Sequence, residues 1–229
     1  AWLGELTPDA RLSVYLHVPF CKHLCFYCGC HTRAERNGDV VSAYAETLCA
    51  EIAAVARCLP ERMRVGHIHW GGGTPTELGD AGLARVLGAL NDAFDIEPGR
   101  EHAIELDPRR LDVDMIRSLA GHGIDRVSLG VQTFDPVVQA AIGRLQPYDQ
   151  VRRAVGWLRH AGIEAISFDL MYGLPHQTAS SVEDTAGRAA MLRPRRISAF
   201  GYAHVPWMKK NQGAIHTSAL PGPEARLEQ

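Results

Sequence analysis

The stretch that decides the fold is Val14–Cys30, VYLHVPFCKHLCFYCGC. It joins an apolar, strand-like segment to a loop that carries four of the six cysteines of the chain. If this strand opens a parallel barrel, the loop at its carboxyl end lies where barrel active sites are built. The stretch therefore predicts that the cysteines belong to a functional site.

The cysteine spacing leaves three interpretations open. Three thiolates at Cys21, Cys25 and Cys28 can wrap a compact inorganic cluster from one loop, and iron–sulfur clusters are held by thiolates. A zinc site usually takes further ligands from a second, distant pair, and no second cysteine pair or finger-spaced histidine pair follows. The spacing therefore favours an iron–sulfur cluster, with zinc and free thiols as alternatives.

Outward from the loop, strand-like and helix-like segments alternate along the chain. The predicted strands are Leu12–Val18, Val65–Trp70, His102–Leu106, Arg126–Val131, Ala165–Leu170 and Arg196–Tyr202. The predicted helices are Val40–Arg57, Asp80–Phe94, Val113–Gly121, Tyr148–Ala161 and Ser180–Met191. This order predicts an α/β fold, a partial (β/α)6 barrel with parallel strands and outer helices. A doubly wound open sheet is the alternative.

The pattern divides the chain at its last predicted strand. We expect a partial barrel domain over residues 1–206. Residues 207–229 are rich in Gly, Pro and polar residues and contain no predicted helix, so we expect a linker toward a further domain.

Composition excludes some classes of partner. The formal net charge of -2 gives no reason to expect nucleic acid or an acidic membrane as partner. No apolar run approaches the ~18 residues that would span a bilayer. No basic region followed by an apolar stretch opens the chain, so we expect a cytoplasmic protein.

The cysteine loop and a glycine-rich loop together resemble a known superfamily. C-x3-C-x2-C follows the first predicted strand, and Gly71-Gly72-Gly73-Thr74-Pro75 follows the second. This pairing resembles the radical S-adenosylmethionine (SAM) superfamily. The resemblance implies that Cys21, Cys25 and Cys28 bind three irons of a [4Fe–4S] cluster and that SAM chelates the fourth. Electron transfer from the cluster then splits SAM into methionine and a 5′-deoxyadenosyl radical.

Further motifs, collinear over almost the whole chain, resemble one branch of that superfamily, the oxygen-independent coproporphyrinogen III oxidase (dehydrogenase) family. They are Tyr15-Leu-His17-Val-Pro-Phe-Cys21, Cys28-Gly-Cys30, His69-Trp70-Gly-Gly-Gly-Thr-Pro-Thr76, Glu105-Leu-Asp107-Pro108, Gly130-Val-Gln132, Asp169-Leu-Met-Tyr-Gly-Leu-Pro175 and Tyr202-Ala-His204-Val-Pro206. The family has more chain on both sides of the matched region. The resemblance thus implies a fragment that lacks an N-terminal segment and a C-terminal domain, and it leaves open whether the fragment turns over alone.

The resemblance also assigns candidate SAM contacts, with two SAM molecules expected. The residues expected near the cluster-bound SAM are Tyr15, Tyr27, Gly72 and Glu105. Those expected to hold the second SAM are Gly73, Thr74, Gln132, Arg144, Asp169 and Ala203. From the residues alone, the glycines also fit a tight turn, the tyrosines core packing, Glu105 a solvated strand end and Arg144 a surface charge.

Cys30 is the one candidate for a catalytic role. It could be a fourth cluster ligand, but a fourth ligand would block the open iron. The resemblance makes it a non-ligand near the active site, so the predicted metal ligands remain the other three cysteines of the loop.

The activity implied is that of a radical SAM oxidoreductase in porphyrin and haem biosynthesis. It would convert coproporphyrinogen III to protoporphyrinogen IX by oxidative decarboxylation, with an electron donor and an acceptor that the sequence does not identify. A monomer is expected. Two alternatives remain. The first is a haem chaperone or other tetrapyrrole-binding relative, although haem chaperones of this kind typically lack the last cysteine of Cys28-Gly-Cys30. The second is a zinc-bound structural domain.

Overall fold

A computed structural model describes residues 2–229 as a parallel sheet surrounded by helices. Its six strands are β1 (Arg11–Val18), β2 (Arg64–Gly72), β3 (Asp95–Leu106), β4 (Arg126–Gln132), β5 (Ala165–Tyr172) and β6 (Arg196–Gly201). Each strand pairs in parallel with its neighbours in the chain, in the order β1 to β6. Because the strand order never reverses, the sheet is singly wound, as in a barrel. This order confirms the partial (β/α)6 barrel and excludes the doubly wound sheet.

Helices connect the strands, and one more follows the last strand. They are α1 (Gly38–Ala56), α2 (Gly79–Ala93), α3 (Val113–Gly121), α4 (Pro136–Ala141), α5 (Tyr148–His160), α6 (Ala179–Met191) and α7 (Pro223–Glu228). The side chain of Asp112 caps α3 by accepting from Met115 N, and Thr178 forms a capping box with Ser181 at the start of α6. These caps define the first residues of α3 and α6.

The predicted boundaries agree with the structure to within about two residues for most elements. The predicted start of β3 at His102 was wrong, because the strand begins at Asp95. Its pairing with β2 is interrupted by a register shift opposite Val65–His67. Helix α4 was not predicted. The prediction that no helix follows Tyr202 was also wrong, because α7 lies near the end of the chain. Two 3₁₀ turns, Lys210–Ala214 and Thr217–Ala219, precede it.

The two faces of the sheet differ in chemistry. The outer face packs against the helices through buried side chains that include Leu16, Trp70, Ile104, Leu129 and Phe168. Burial of one such large apolar side chain contributes about 1.5–3 kcal/mol to folding. The inner face is polar and includes His69, Glu105, Ser128, Ser167, Asp169 and Ser198. The core thus lies between strands and helices, and the inside of the barrel is left for polar chemistry.

The structure contains no helix, within residues 2–229, that is both long enough and apolar enough to cross a bilayer.

Candidate active site

A cavity of about 500 Å³ opens at the carboxyl ends of the strands. Of the predicted site residues, it is lined by Cys21, Cys25, Tyr27, Cys28, Cys30, Gly72, Gly73, Thr74, Glu105, Gln132, Arg144, Asp169 and Ala203. Tyr15 lies on the inner barrel wall beside this cavity, stacked on His69 with ring centroids 5.7 Å apart. Residues distant in sequence therefore meet in one place, which is where a parallel barrel binds its substrate.

The cysteine loop is anchored at both of its ends. Phe20–Cys21 and Arg33–Ala34 form a short two-stranded parallel ladder, which closes the loop on itself. Gly73 N donates to Val18 O and Thr74 N to Phe20 O, both at 2.8 Å, so the glycine-rich turn is joined to the start of the loop. The first cysteine and the glycine-rich turn are consequently held as one unit.

Two guanidinium groups donate to the Cys25 sulfur. Arg109 Nη2 and Arg144 Nη1 each lie 3.4 Å from Cys25 Sγ, and both arginines also bond Asp107. Burial raises the pKa of Asp107, but the charges of Arg144 and Arg109 outweigh it and leave the pKa lowered. Two cations facing one carboxylate leave one positive charge in excess beside the sulfur.

Cys28 and Cys30 interact with each other. A hydrogen bond between the two thiols raises the pKa of Cys28 and lowers the pKa of Cys30. Cys30 also lies close enough to Glu105 and Lys209 for their charges to act on it. Cys30 is therefore beside the loop's third predicted ligand and faces the cavity, and its assignment as a non-ligand stays a prediction.

The glycine-rich turn leaves no room for side chains. A Cβ on Gly73 would stand 2.6 Å from Phe20 O, and one on Gly72 would stand 2.8 Å from Val18 O. Gly72 also has φ of +115°, a conformation that favours glycine. The backbone of β2 thus packs directly on the cysteine loop and presents bare main chain to the cavity.

Glu105 links the turn to the inner wall of the barrel. Its Oε2 accepts from Gly72 N at 3.2 Å, and its Oε1 lies 3.3 Å from His69 Nε2. Its side chain remains 43% exposed toward the cavity, which leaves lone pairs free to accept from a bound ligand.

A β-bulge orients the polar residues at the ends of β4 and β5. The register between the strands shifts from Gly130 to Gln132, and Gln132 has φ of +65°. Such strain in a non-glycine residue is concentrated at functional sites. Asp169 Oδ2 accepts from Ser128 Oγ at 2.8 Å, and burial raises the pKa of Asp169.

Arg144 is a buried residue, with 8% of its side chain exposed, so the alternative of a surface charge was wrong. Its Nη2 donates to Gly130 O at 2.7 Å in addition to its bonds with Asp107. Its Nε is buried without a hydrogen-bond partner in the structure. The charge of this buried cation at the cavity suits an anionic ligand group.

Tyr27 and Ala203 lie on the side of the cavity toward the end of the chain. Tyr27 packs against an apolar cluster that includes Tyr202 and Ile215, and burial raises the pKa of its phenol. Ala203 follows β6, and its backbone oxygen accepts from Gln212 Nε2 at 3.2 Å.

Several residues of this site were not predicted from the sequence. Asp107 belonged to a quoted motif without a role, and Arg109 follows it in a short turn that begins at Pro108. Lys209, Asn211 and Gln212 contact the cysteine loop from the segment that was interpreted as a linker. For Asp107 and Arg109, the aspartate followed by proline at the end of a strand was a usable signal. No periodic pattern in the sequence marks Lys209, Asn211 or Gln212.

The residues fit a [4Fe–4S] cluster with SAM better than zinc. Within residues 2–229, no three His, Cys, Asp or Glu side chains converge as ligands of a single metal ion, which a zinc site would require. Each cysteine of an iron–sulfur cluster binds a different iron, so its ligands surround a cavity. The cysteines of the loop are free thiols that line such a cavity. Cations at Cys25 and the side-chain-free turn at Gly73 also fit a bound cluster with SAM.

The comparisons with known proteins agree with this chemistry. Residues 15–189 match the family model described as the radical SAM superfamily. The chain belongs to the radical SAM superfamily. That superfamily implies a [4Fe–4S] cluster and SAM as cofactors. A solved structure of low identity, SuiB from Streptococcus suis bound to S-adenosylmethionine, shares the fold with a TM-score of 0.56 and 15% identity over 85% of this chain and 41% of its own.

More similar relatives are named coproporphyrinogen III oxidases, most of them oxygen-independent. The oxygen-independent coproporphyrinogen III oxidase of Bradyrhizobium diazoefficiens is 51% identical over 100% of this chain and 51% of its own length. The Escherichia coli protein of the same name is 37% identical over 96% of this chain and 48% of its own. The solved coproporphyrinogen III oxidase from Escherichia coli, described as a radical SAM enzyme, superposes with a TM-score of 0.92 at 36% identity, over 97% of this chain and 51% of that one. The chain thus spans about half the length of the relatives that it matches.

Proposed function

We propose that this chain is the cluster- and SAM-binding part of an oxygen-independent coproporphyrinogen III oxidase. The observation that carries the proposal is the cavity itself, where the cysteine loop, the glycine-rich turn and the polar ends of β3, β4 and β5 meet. The collinear similarity to relatives of that name supports the same substrate.

The reaction converts two propionate side chains to vinyl groups. At each, one hydrogen atom leaves the carbon β to the carboxylate, the bond to the carboxylate breaks to release CO2, and one electron passes to an acceptor. When bound, the cluster and SAM supply the radical that removes the hydrogen. We propose that a donor and an acceptor of electrons act with the chain, and the sequence identifies neither.

The chain's own residues bind and orient. Cys21, Cys25 and Cys28 hold the cluster, and Glu105, Gly72, Tyr15 and Tyr27 hold the SAM bound to it. Glu105 suits the amino group of SAM, because a carboxylate accepts hydrogen bonds from an ammonium. Cys30 stays outside the ligand set, which leaves one iron open.

We propose that a second SAM lies against Gly73, Thr74, Gln132, Arg144, Asp169 and Ala203. The positive charge of the buried Arg144, which lines the cavity, suits the carboxylate of that molecule. Asp169 and Gln132 supply an acceptor and an amide at the neighbouring strand ends.

The remaining expectations stay predictions. They are a barrel domain over 1–206, a segment over 207–229 leading toward a further domain, a cytoplasmic location, a monomer, and no nucleic-acid or membrane partner.

The test is anaerobic reconstitution of the chain with iron and sulfide, followed by assay with SAM and coproporphyrinogen III. Because the chain spans half of its relatives, the full-length protein is assayed beside it. We expect 5′-deoxyadenosine and CO2 from the full-length protein, and neither from a Cys25→Ser variant. An intact cluster that yields neither product overturns the assignment, and tight haem binding without turnover supports the haem-carrier alternative instead.

A further inference from the structure

The segment after β6 turns back over the cysteine loop and bonds its backbone. Three side chains of this segment, Lys209, Asn211 and Gln212, donate to carbonyl oxygens within residues 25–30. We call these three side chains the carbonyl clamp. They come from a stretch about 180 residues away in sequence from the loop that they contact.

Gln212 is the centre of the carbonyl clamp. Its side chain is buried, with 1% of the residue exposed. Its Nε2 donates to Tyr27 O at 2.9 Å and to Ala203 O at 3.2 Å, while its Oε1 accepts from Val205 N at 2.6 Å. Both amide protons and the amide oxygen are thus used, and they join the cysteine loop to the backbone that follows β6.

Asn211 covers the turn between the second and third cysteines. Its Nδ2 lies 3.0 Å from Cys25 O, 3.0 Å from Cys28 O and 3.3 Å from Phe26 O. One amide group therefore gathers three carbonyls of the loop around itself. This contact fixes the backbone of two predicted cluster ligands at once.

Lys209 holds the far end of the loop. Its Nζ donates to Cys30 O at 2.9 Å. Together the three side chains contact five carbonyl oxygens, at Cys25, Phe26, Tyr27, Cys28 and Cys30. The loop has few regular backbone bonds of its own over this stretch, so its shape depends on these donors.

We infer that Lys209, Asn211 and Gln212 are positioning residues, which hold the cysteine loop in the conformation that retains the cluster. The inference rests on the proposed cluster. It assigns to residues 209–212 a role distinct from packing, since the apolar contact of this segment with the barrel is made by Ile215. Through Gln212, the same device joins the loop to the strand end that carries Ala203.

The test compares Gln212→Ala, Asn211→Ser, Lys209→Ala and the matched control Lys210→Ala in the 229-residue chain. Each variant is reconstituted anaerobically, and the release of iron to a chelator is followed by absorbance near 400 nm. Loss of two or three hydrogen bonds of ordinary strength predicts release about tenfold faster in Gln212→Ala and in Asn211→Ser, with Lys210→Ala unchanged.

A second readout needs no cluster. Hydrogen–deuterium exchange of the unreconstituted protein is measured at residues 25–30, where the clamp variants should exchange at least tenfold faster while α2 and α5 keep their protection. A Leu90→Ala variant, in the core under the end of α2, separates a general loss of stability from positioning, because it should lower the unfolding temperature without speeding exchange in the loop.

The outcomes distinguish the two proposals. If the unmodified chain forms no iron–sulfur cluster, the proposed function fails, and the exchange measurement still decides on the clamp. If the cluster forms but Asn211→Ser and Gln212→Ala release iron and exchange like Lys210→Ala, the clamp is overturned while the function stands. If Gln212→Ala does not fold, Asn211→Ser, which alters a less buried side chain, decides whether the clamp holds the loop.

Discussion

Arg109 Nη2 lies 3.4 Å from the Cys25 sulfur, and Asp107 holds the guanidinium there through bonds of 2.7 to 3.1 Å. The arginine therefore acts on the sulfur as a fixed charge, since its carboxylate partner restricts its rotamers. If Cys25 holds the cluster, as proposed, a fixed positive charge beside it would favour the reduced state, which carries more negative charge.

Arg109→Gln should lower the reduction potential of the reconstituted cluster. A charge-assisted bond worth about 1 kcal/mol more in the reduced state corresponds to ~40 mV for one electron. Redox titration followed by electron paramagnetic resonance measures the shift. Arg110→Gln is the control, because Arg110 pairs with Glu77 away from the sulfur. Equal shifts in both variants would contradict a local effect at Cys25.

Gly73→Ala should weaken SAM binding at least tenfold, because a Cβ 2.6 Å from Phe20 O must push the turn away from the cysteine loop. Clashes of this size in packed regions typically cost about 1–3 kcal/mol. Equilibrium dialysis with labelled SAM gives the affinity. Gly29→Ala is the matched control inside the loop, since a Cβ there meets nothing within 4 Å. Unchanged affinity in Gly73→Ala would show that the turn does not position SAM.

Glu105→Gln should lower the affinity for SAM about 10- to 100-fold, because a hydrogen bond to a charged group contributes roughly 1.5–3 kcal/mol. The variant keeps the size of the side chain and its bond from Gly72 N, so the loss isolates the charge. The same dialysis measures it. Glu101→Gln, deeper in the barrel and paired with Arg126, should bind SAM normally. A similar loss in both variants would point to a general change in barrel charge.

Acidification should destabilise the fold through His102. This side chain is fully buried and accepts from Trp70 Nε1 at 3.0 Å, and burial lowers its pKa from 6.5 to about 4. Between these two values the unfolded chain binds a proton that the folded chain does not, so stability falls as the pH falls. From pH 7.5 to 5 the loss is about 2 kcal/mol.

Urea unfolding at the two pH values measures that loss. His102→Gln should lose most of the acid sensitivity, whereas His160→Gln, at an exposed position of α5, should retain it. Identical pH profiles for His102→Gln and the unmodified protein would rule out His102 as the source.

The strands and most helices could be predicted from the sequence because their outer faces are apolar and their ends carry strong signals. Asp112 and Thr178 are residue types that commonly cap helices and they cap α3 and α6, and Gly162, with φ of +88°, follows the end of α5. Helix α4 was missed because it is short, although Asp135 and Pro136 form an N-cap and first-turn pair that marks it.

The site residues that meet in the cavity were predicted from the resemblance to a family. Their own local sequence patterns would not have identified them. The burial of Arg144 could not be predicted, because nothing in the local sequence indicates that an arginine after a glycine is buried. The same holds for the contacts of Gln212. Its partners lie on the cysteine loop and after β6, so only the folded chain brings its donors and acceptors together.

The two ends of the sheet set a practical limit on the isolated chain. Within residues 2–229, strands β1 and β6 pair on one side only, and on β6 Ile197 and Phe200 are exposed on opposite faces. A free edge with apolar flanks is a template onto which another extended chain can add. The isolated chain can therefore aggregate through β6, and aggregation increases with protein concentration. The chemistry of the cavity should accordingly be measured in dilute solution.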